Sequence, residues 1–259
     1  MCFDLDSQPP IQPLHGSDAH GELLTLTSAD GTRFAAYRAH ADSTRRTGAG
    51  IVILPDVRGL YQFYKDLAMR FAEAGVEAIA IDYFGRTAGL TARDDAFEFW
   101  PHVQQTKAAQ IRDDVAAALA QLRSEPNPPV AYFTVGFCFG GGNSFQQAAN
   151  NLGLAGVIGF YGPPAREGRD GSPSPLARAG QMKGAVLGLF GGADESISAA
   201  DIQRFDAALT QAGVEHEFIT YPGAPHSFFD RKYEQFASES ADSWARTLAF
   251  IAAHTPADA

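Results

Sequence analysis

The sequence predicts an α/β protein whose mostly parallel central sheet is covered by helices on both faces. Three observations carry this expectation. Short, wholly apolar runs such as Ile51-Val52-Ile53-Leu54 recur through the chain, as in strands buried on both faces. Apolar residues at a spacing of three to four, such as Phe63, Leu67 and Phe71, mark helices with one buried stripe. The two patterns alternate, and such alternation builds parallel strands joined by helical crossovers.

The elements follow in order. Residues 1–21 form a polar lead-in, and residues 22–259 read as a single domain. Glu22–Thr27 and Thr32–Tyr37 flank Ala29-Asp30-Gly31, a hairpin signal. Thr44–Gly50 is a polar loop, Ile51–Leu54 a buried strand, and Gly75 the left-handed stop of the helix carrying Phe63, Leu67 and Phe71. Val76–Ile81 is the next strand, Ile111, Val115, Leu119 and Leu122 mark a helix, and Val130–Val135 is a strand leading to a helical stretch over Asn143–Asn151. Leu154–Phe160 and Ala185–Phe190 are further strands. Ser198-Ala-Ala-Asp201 opens a helix that Gly213 closes, Val214–Tyr221 is the last strand, and Trp244, Leu248 and Ile251 stripe the final helix. Two connections, Asp82 to about Thr106 and Tyr161 to about Lys183, are too long for this rhythm. Long loops in compact domains are more often functional than idle, and ligands of such sheets bind at the carboxyl ends of the strands.

Composition narrows the function classes. The 259 residues are 45% apolar and 19% charged, as in globular rather than disordered chains. Size scaling gives roughly 11,000 Å² of folded surface against roughly 40,000 Å² for the extended chain, so one core suffices. The net charge of −10, without blocks of like charge, argues against nucleic acid or an anionic membrane as partner. No apolar run reaches the ~20 residues of a membrane helix, and Met1–Gln12 lacks the features of a secretory signal. Two cysteines, Cys2 and Cys138, make no disulfide framework. A reducing cytoplasm is the expected setting.

The sharpest segment is Gly136-Phe137-Cys138-Phe139-Gly140-Gly141-Gly142, between a strand and a helical stretch. A nucleophile on a tight strand-to-helix turn needs small residues two before and two after it. Gly136 and Gly140 supply that clearance around Cys138, the following helix end favours a thiolate, and the Phe139 N–H is placed as an oxyanion donor. The bland alternative is that Cys138 is a small buried hydrophobe. A phosphate loop is excluded, since neither G-x-x-x-x-G-K-[ST] nor a fitting G-x-G-x-x-G occurs.

Such an elbow requires an acid and a histidine after later strands, in that order. Gly191-Gly192-Ala193-Asp194 and Pro225-His226-Ser227 meet the requirement, with Glu195 as the competing acid and His102 as a second histidine. His216 falls inside a strand, and His15, His20, His40 and His254 lie in terminal or polar segments. Metal chemistry is not expected: there is no H-E-x-x-H and no Cys-x-x-Cys.

Gly-Phe-Cys-Phe-Gly-Gly, Gly-Gly-Ala-Asp and Pro-His-Ser-Phe together resemble the dienelactone hydrolase family of the α/β-hydrolase superfamily, from about Glu22 to Ile251. The resemblance implies an α/β-hydrolase fold and hydrolysis of an enol-lactone or related ester by Cys138, His226 and Asp194, with no cofactor. It also implies a second oxyanion donor at the Val57 N–H and an acidic residue near the thiol. That residue is Asp56 here, one methylene shorter than the family's usual glutamate; alternatively Asp56 caps the turn. Arginines gripping a substrate carboxylate are implied too, with Arg58, Arg86, Arg93 and Arg231 as candidates. Where the family has an arginine shortly after the histidine, this chain has Asp230, with Arg231 one further on. Tyr83, Phe84, Trp100 and Tyr161 are candidate pocket walls. The expected partner is a small ester or lactone, and the expected state a monomer or small homo-oligomer. A general carboxylesterase or thioesterase, or a non-catalytic binding member of the fold, are the alternatives.

Overall fold

The computed structural model describes residues 3, 4 and 6–257; Cys2 lies outside them. Eight strands form one sheet in the order β1-β2-β4-β3-β5-β6-β7-β8. They are β1 (His20–Thr27), β2 (Arg33–His40), β3 (Ala49–Leu54), β4 (Glu77–Ile81), β5 (Ala131–Phe137), β6 (Gly156–Phe160), β7 (Ala185–Gly191) and β8 (His216–Tyr221). The β1–β2 and β2–β4 pairs are antiparallel, and every later pairing is parallel.

The period-2 alternation of the strands sorts the core into two layers. Ile51 and Ile53 of β3 face one way, with Phe63, Leu67 and Phe71 of α1 (Gln62–Glu73). Val52 and Leu54 face the other way, with Val115, Leu119 and Leu122. Those last three belong to the long helix of the second layer, the fourth in chain order. Ahead of it come two single turns, α2 (Gly85–Ala88) and α3 (Trp100–Val103), and the long helix is α4 (Ala108–Arg123). Then follow α5 (Phe139–Gln147), α6 (Ala199–Ala212) and α7 (Ala237–Ala253). Local signals act as the sequence predicts. Ser198 Oγ accepts the Asp201 N–H (3.1 Å) at the start of α6, and Gly213 ends it with φ 68°.

Two differences from the sequence expectation bear on function. First, α5 starts directly after Cys138 instead of at Asn143. Glycine-rich stretches are poor helix formers, but here the packing demands them. A Cβ on Gly140 would collide with the carbonyl oxygens of Leu54 and Pro55, and one on Gly136 with the carbonyl of Gly140. Second, the polar segment ahead of β1 carries a buried anchor. Phe3 is buried and stacks on Phe63 with ring centroids 4.0 Å apart. A polar composition hides its single aromatic anchor.

The two long connections contain little regular structure: α2 and α3 in the first, and a 3₁₀ turn at Leu176–Gln181 in the second. No helix among the described residues is long and apolar enough to cross a membrane.

Candidate active site

The elbow is set by backbone geometry. Cys138, between β5 and α5, has φ 55° and ψ −115°. A non-glycine residue in that region costs of order 1–3 kcal/mol and persists only where its surroundings over-determine it. Here the Cys138 N–H donates to the Phe160 carbonyl (3.0 Å), and its own carbonyl accepts from Gly141 (3.0 Å) and Gly142 (3.2 Å). As the first residues of α5, Phe139 and Gly140 have N–H groups with no intrahelical acceptor. They point where negative charge is favoured. Cys138 itself is largely buried, at 9% exposure.

The acid and the histidine lie on the same rim. Asp194 follows β7 and His226 follows β8. Asp194 Oδ2 is 2.6 Å from His226 Nδ1. Asp194 Oδ1 accepts the Ser196 hydroxyl (2.6 Å) and the Ser196 N–H (2.8 Å). Burial pushes the Asp194 carboxyl up, but the hydrogen bonds from His226 and Ser196 outweigh it and hold the group below its ordinary value. An ionised carboxylate only accepts, so Nδ1 carries the proton and Nε2 is the basic nitrogen. Glu195, the competing acid, is exposed.

Tyr161 joins the two halves of the rim. It follows β6, adopts φ 37°, and its N–H donates to the Leu189 carbonyl (2.7 Å). Its ring lies 4.9 Å from the His226 ring and 6.2 Å from that of Phe137, the residue before Cys138. Ser227, next to His226, is also left-handed at φ 61°. Three non-glycine residues in this region of φ thus surround one spot at the carboxyl ends of β5, β6 and β8.

The segment after β3 carries Asp56, Val57 and Arg58. Asp56 is fully buried; its carboxylate accepts the Arg58 N–H (2.8 Å) and pairs with the Arg58 guanidinium (3.4 Å). Burial pushes the Asp56 carboxyl up in spite of Arg58. That guanidinium also donates to Tyr61 Oη (2.7 Å) and lies over the Tyr61 ring. Val57 is buried. Tyr83 ties this segment to the elbow: its hydroxyl donates to the Pro55 carbonyl (2.8 Å), and its ring meets Phe139 edge-on at 5.4 Å.

The remaining candidate arginines are engaged within the protein. Arg86 is held by Asp114 (2.8 Å), Asp30 (2.7 Å) and Ser28 (2.8 Å). Arg93 makes two bonds to Asp82 (3.1 and 2.8 Å) and two more to the carbonyls of Thr91 and Gly89. Arg231 donates to Gln8 Oε1 (2.7 Å) and the Ile11 carbonyl (2.9 Å). Phe84 is buried against Arg93 and Phe97, and Trp100 is exposed. His102 stacks on Phe97, while His216 bonds to Val214 and Asp206. Ser196 was not singled out by the sequence. Its spacing two residues after Asp194 suits a side-chain turn at the acid, and that spacing was the available signal. No group of three or more potential metal ligands converges among the described residues.

Comparison with known proteins gives the family. Residues 34–255 match the sequence profile of the Dienelactone hydrolase family. The chain belongs to that family. Among its relatives is a protein of Methylorubrum extorquens named "Putative carboxymethylenebutenolidase", 29% identical over 94% of this chain and 86% of that protein. A Synechocystis protein of the same name is 29% identical over 76% of this chain and 82% of its own length. The fold matches a Klebsiella pneumoniae structure titled as a "Putative Dienelactone Hydrolase", with a TM-score of 0.77 and 24% identity, covering 89% of this chain and 99% of that one. This member of the dienelactone hydrolase family is therefore a hydrolase with the α/β-hydrolase fold of its relatives.

Proposed function

We propose that the protein hydrolyses an enol-lactone or related activated carboxylic ester through Cys138, His226 and Asp194, by way of a thioester. The observation that carries this reading is the elbow at Cys138 on the same rim as a 2.6 Å Asp194–His226 hydrogen bond. His226, its ring oriented by Asp194, takes the thiol proton at Nε2 or stabilises the thiolate. The sulfur forms a bond to the substrate carbonyl carbon, and the developing oxyanion is held by the N–H groups of Val57 and Phe139. Collapse of the tetrahedral intermediate breaks the ester C–O bond, and the leaving enolate or alkoxide takes the proton from His226. Water, deprotonated by His226, then attacks the thioester carbonyl; the C–S bond breaks, the carboxylic acid leaves, and the sulfur regains its proton from His226.

A sulfur nucleophile suits a good leaving group, because thiolate is expelled more readily than an amine. Activated esters and lactones are thus favoured over peptides. The engagement of Arg86, Arg93 and Arg231 within the protein supports a second reading, a general carboxylesterase or thioesterase that does not need a carboxylate on its substrate. A substrate panel separates the two: a dienelactone preferred over p-nitrophenyl acetate and acyl thioesters supports the first. In either reading the protein acts on a small molecule in the cytoplasm. His226→Ala is expected to abolish turnover, and Cys138 in a Cys2→Ser background should react with iodoacetamide faster than a model thiol. An inert thiol and unchanged turnover would defeat the assignment.

A further inference from the structure

We propose that residues 3, 4 and 6–14 act as a strap that positions the His226 loop, with Asp230 as its anchor; this rests on the role given to His226 above. The loop from His226 to Lys232, between β8 and the 3₁₀ turn at Glu234–Phe236, contains no regular element. It begins with the left-handed Ser227, a conformation that relaxes unless its surroundings hold it. One hold comes from α7, where Ser240 Oγ donates to the Phe228 carbonyl (3.1 Å).

Others are the packing of Phe228 on Tyr161 and Tyr221, and of Phe229 on Phe137 and Phe160. A further set comes from the opposite end of the chain. Asp230 is buried, and its carboxylate accepts the Ser7 hydroxyl (2.6 Å) and the Gln8 N–H (3.2 Å). The Arg231 N–H donates to the Gln8 carbonyl (2.9 Å), and its guanidinium to Gln8 Oε1 (2.7 Å) and the Ile11 carbonyl (2.9 Å). Lys232 Nζ pairs with Asp6 (2.6 Å). Three consecutive loop residues thus grip one short segment.

The strap reaches the other side of the site as well. The Phe3 ring lies 6.3 Å from Phe137, next to Cys138, and 6.3 Å from Tyr161, whose ring packs on His226. It therefore fixes the histidine loop relative to the elbow. Asp230 stands about where the family resemblance places a substrate-binding arginine, and here it turns inward to the strap.

The test uses full-length Ser7→Ala and Asp230→Ala, with Ser7→Thr as the conservative rescue. Asp42→Asn, which disturbs a buried node bonded to Ser17 and Thr44 away from the rim, controls for general destabilisation. Misplacing a catalytic group by about an ångström costs on the order of 10²-fold in rate. Ser7→Ala and Asp230→Ala should lower kcat ~10- to 100-fold with KM within about twofold. Hydrogen exchange of the 226–232 amides should quicken about tenfold while β7 stays protected. Ser7→Thr should restore both, and Asp42→Asn should leave kcat intact at a matched loss of Tm. Wild-type exchange in the loop of Ser7→Ala and Asp230→Ala overturns the strap, and faster exchange at unchanged kcat overturns its positioning role. If the wild-type protein shows no Cys138-dependent turnover, the hydrolytic reading fails, and exchange still decides the strap.

Discussion

Buried charge occurs in two regions of this molecule, and the two use it differently. Around the first long connection, Arg86 joins Asp30 and Asp114, and Arg93 joins Asp82. The side chains of Arg93 and Asp82 are 2% and 0% exposed, and the arginine is ringed by acceptors. At the carboxyl ends of β5, β7 and β8, the Asp194 carboxylate is equally buried, yet its partner ring is 16% exposed. That pair sits among Cys138, Tyr161 and Ser227, all left-handed, whereas no described residue of the arginine clusters is a non-glycine with positive φ. The lesson is that burial and pairing do not distinguish chemistry from scaffolding. A partly open edge and a cluster of strained backbone do: a backbone held in a costly conformation has been held there by its surroundings, whereas a saturated ion pair has nothing left to give a substrate.

The comparison breaks most visibly at Cys138, the proposed nucleophile. Cys138→Ala should lower kcat/KM for p-nitrophenyl acetate by about 10⁴-fold or more, with little change in Tm; retained turnover would erase the distinction between the regions. On the scaffold side, Asp82→Ala strands Arg93 in the interior and should cost about 3–5 kcal/mol in urea unfolding. The folded fraction should keep its kcat. A milder effect is expected for Asp194→Asn, about 10²- to 10³-fold in kcat, because the proposed nucleophile and oxyanion donors remain. The smallest effect concerns pH. Asp194 is depressed in the folded state, so its contribution is present above the unfolded carboxyl value and lost as pH falls through the folded one. Melting curves from about pH 5 to 3 should fall less steeply for Asp194→Asn than for wild type; parallel curves would mean the carboxylate is not held by His226 and Ser196.

Much of the fold was legible because its signals are local. The Ala29-Asp30-Gly31 turn, the Ser198 cap and the Gly75 and Gly213 stops depend on a few neighbouring atoms, and strand and helix periods depend on one face being buried. The order of Cys138, Asp194 and His226 was legible for a similar reason: each follows a strand, and parallel strands put their carboxyl ends on one rim. The helix start at Phe139 was not, because glycine's weak propensity is overridden by a close approach to Leu54 and Pro55 that no neighbouring residue announces.

The sequence by itself determined a mostly parallel sheet with helices on both faces, and that Cys138, Asp194 and His226 each follow one of its strands. Only the tertiary structure decided that Ser196 supports Asp194, that Arg86, Arg93 and Arg231 are engaged internally, and that Ser7, Gln8 and Ile11 are bonded to the loop after His226. The reason is physical. Secondary structure is chosen by residues adjacent along the chain, but a polar side chain takes whichever partner folding brings within about 3 Å, and Ser7 and Asp230 are 223 positions apart.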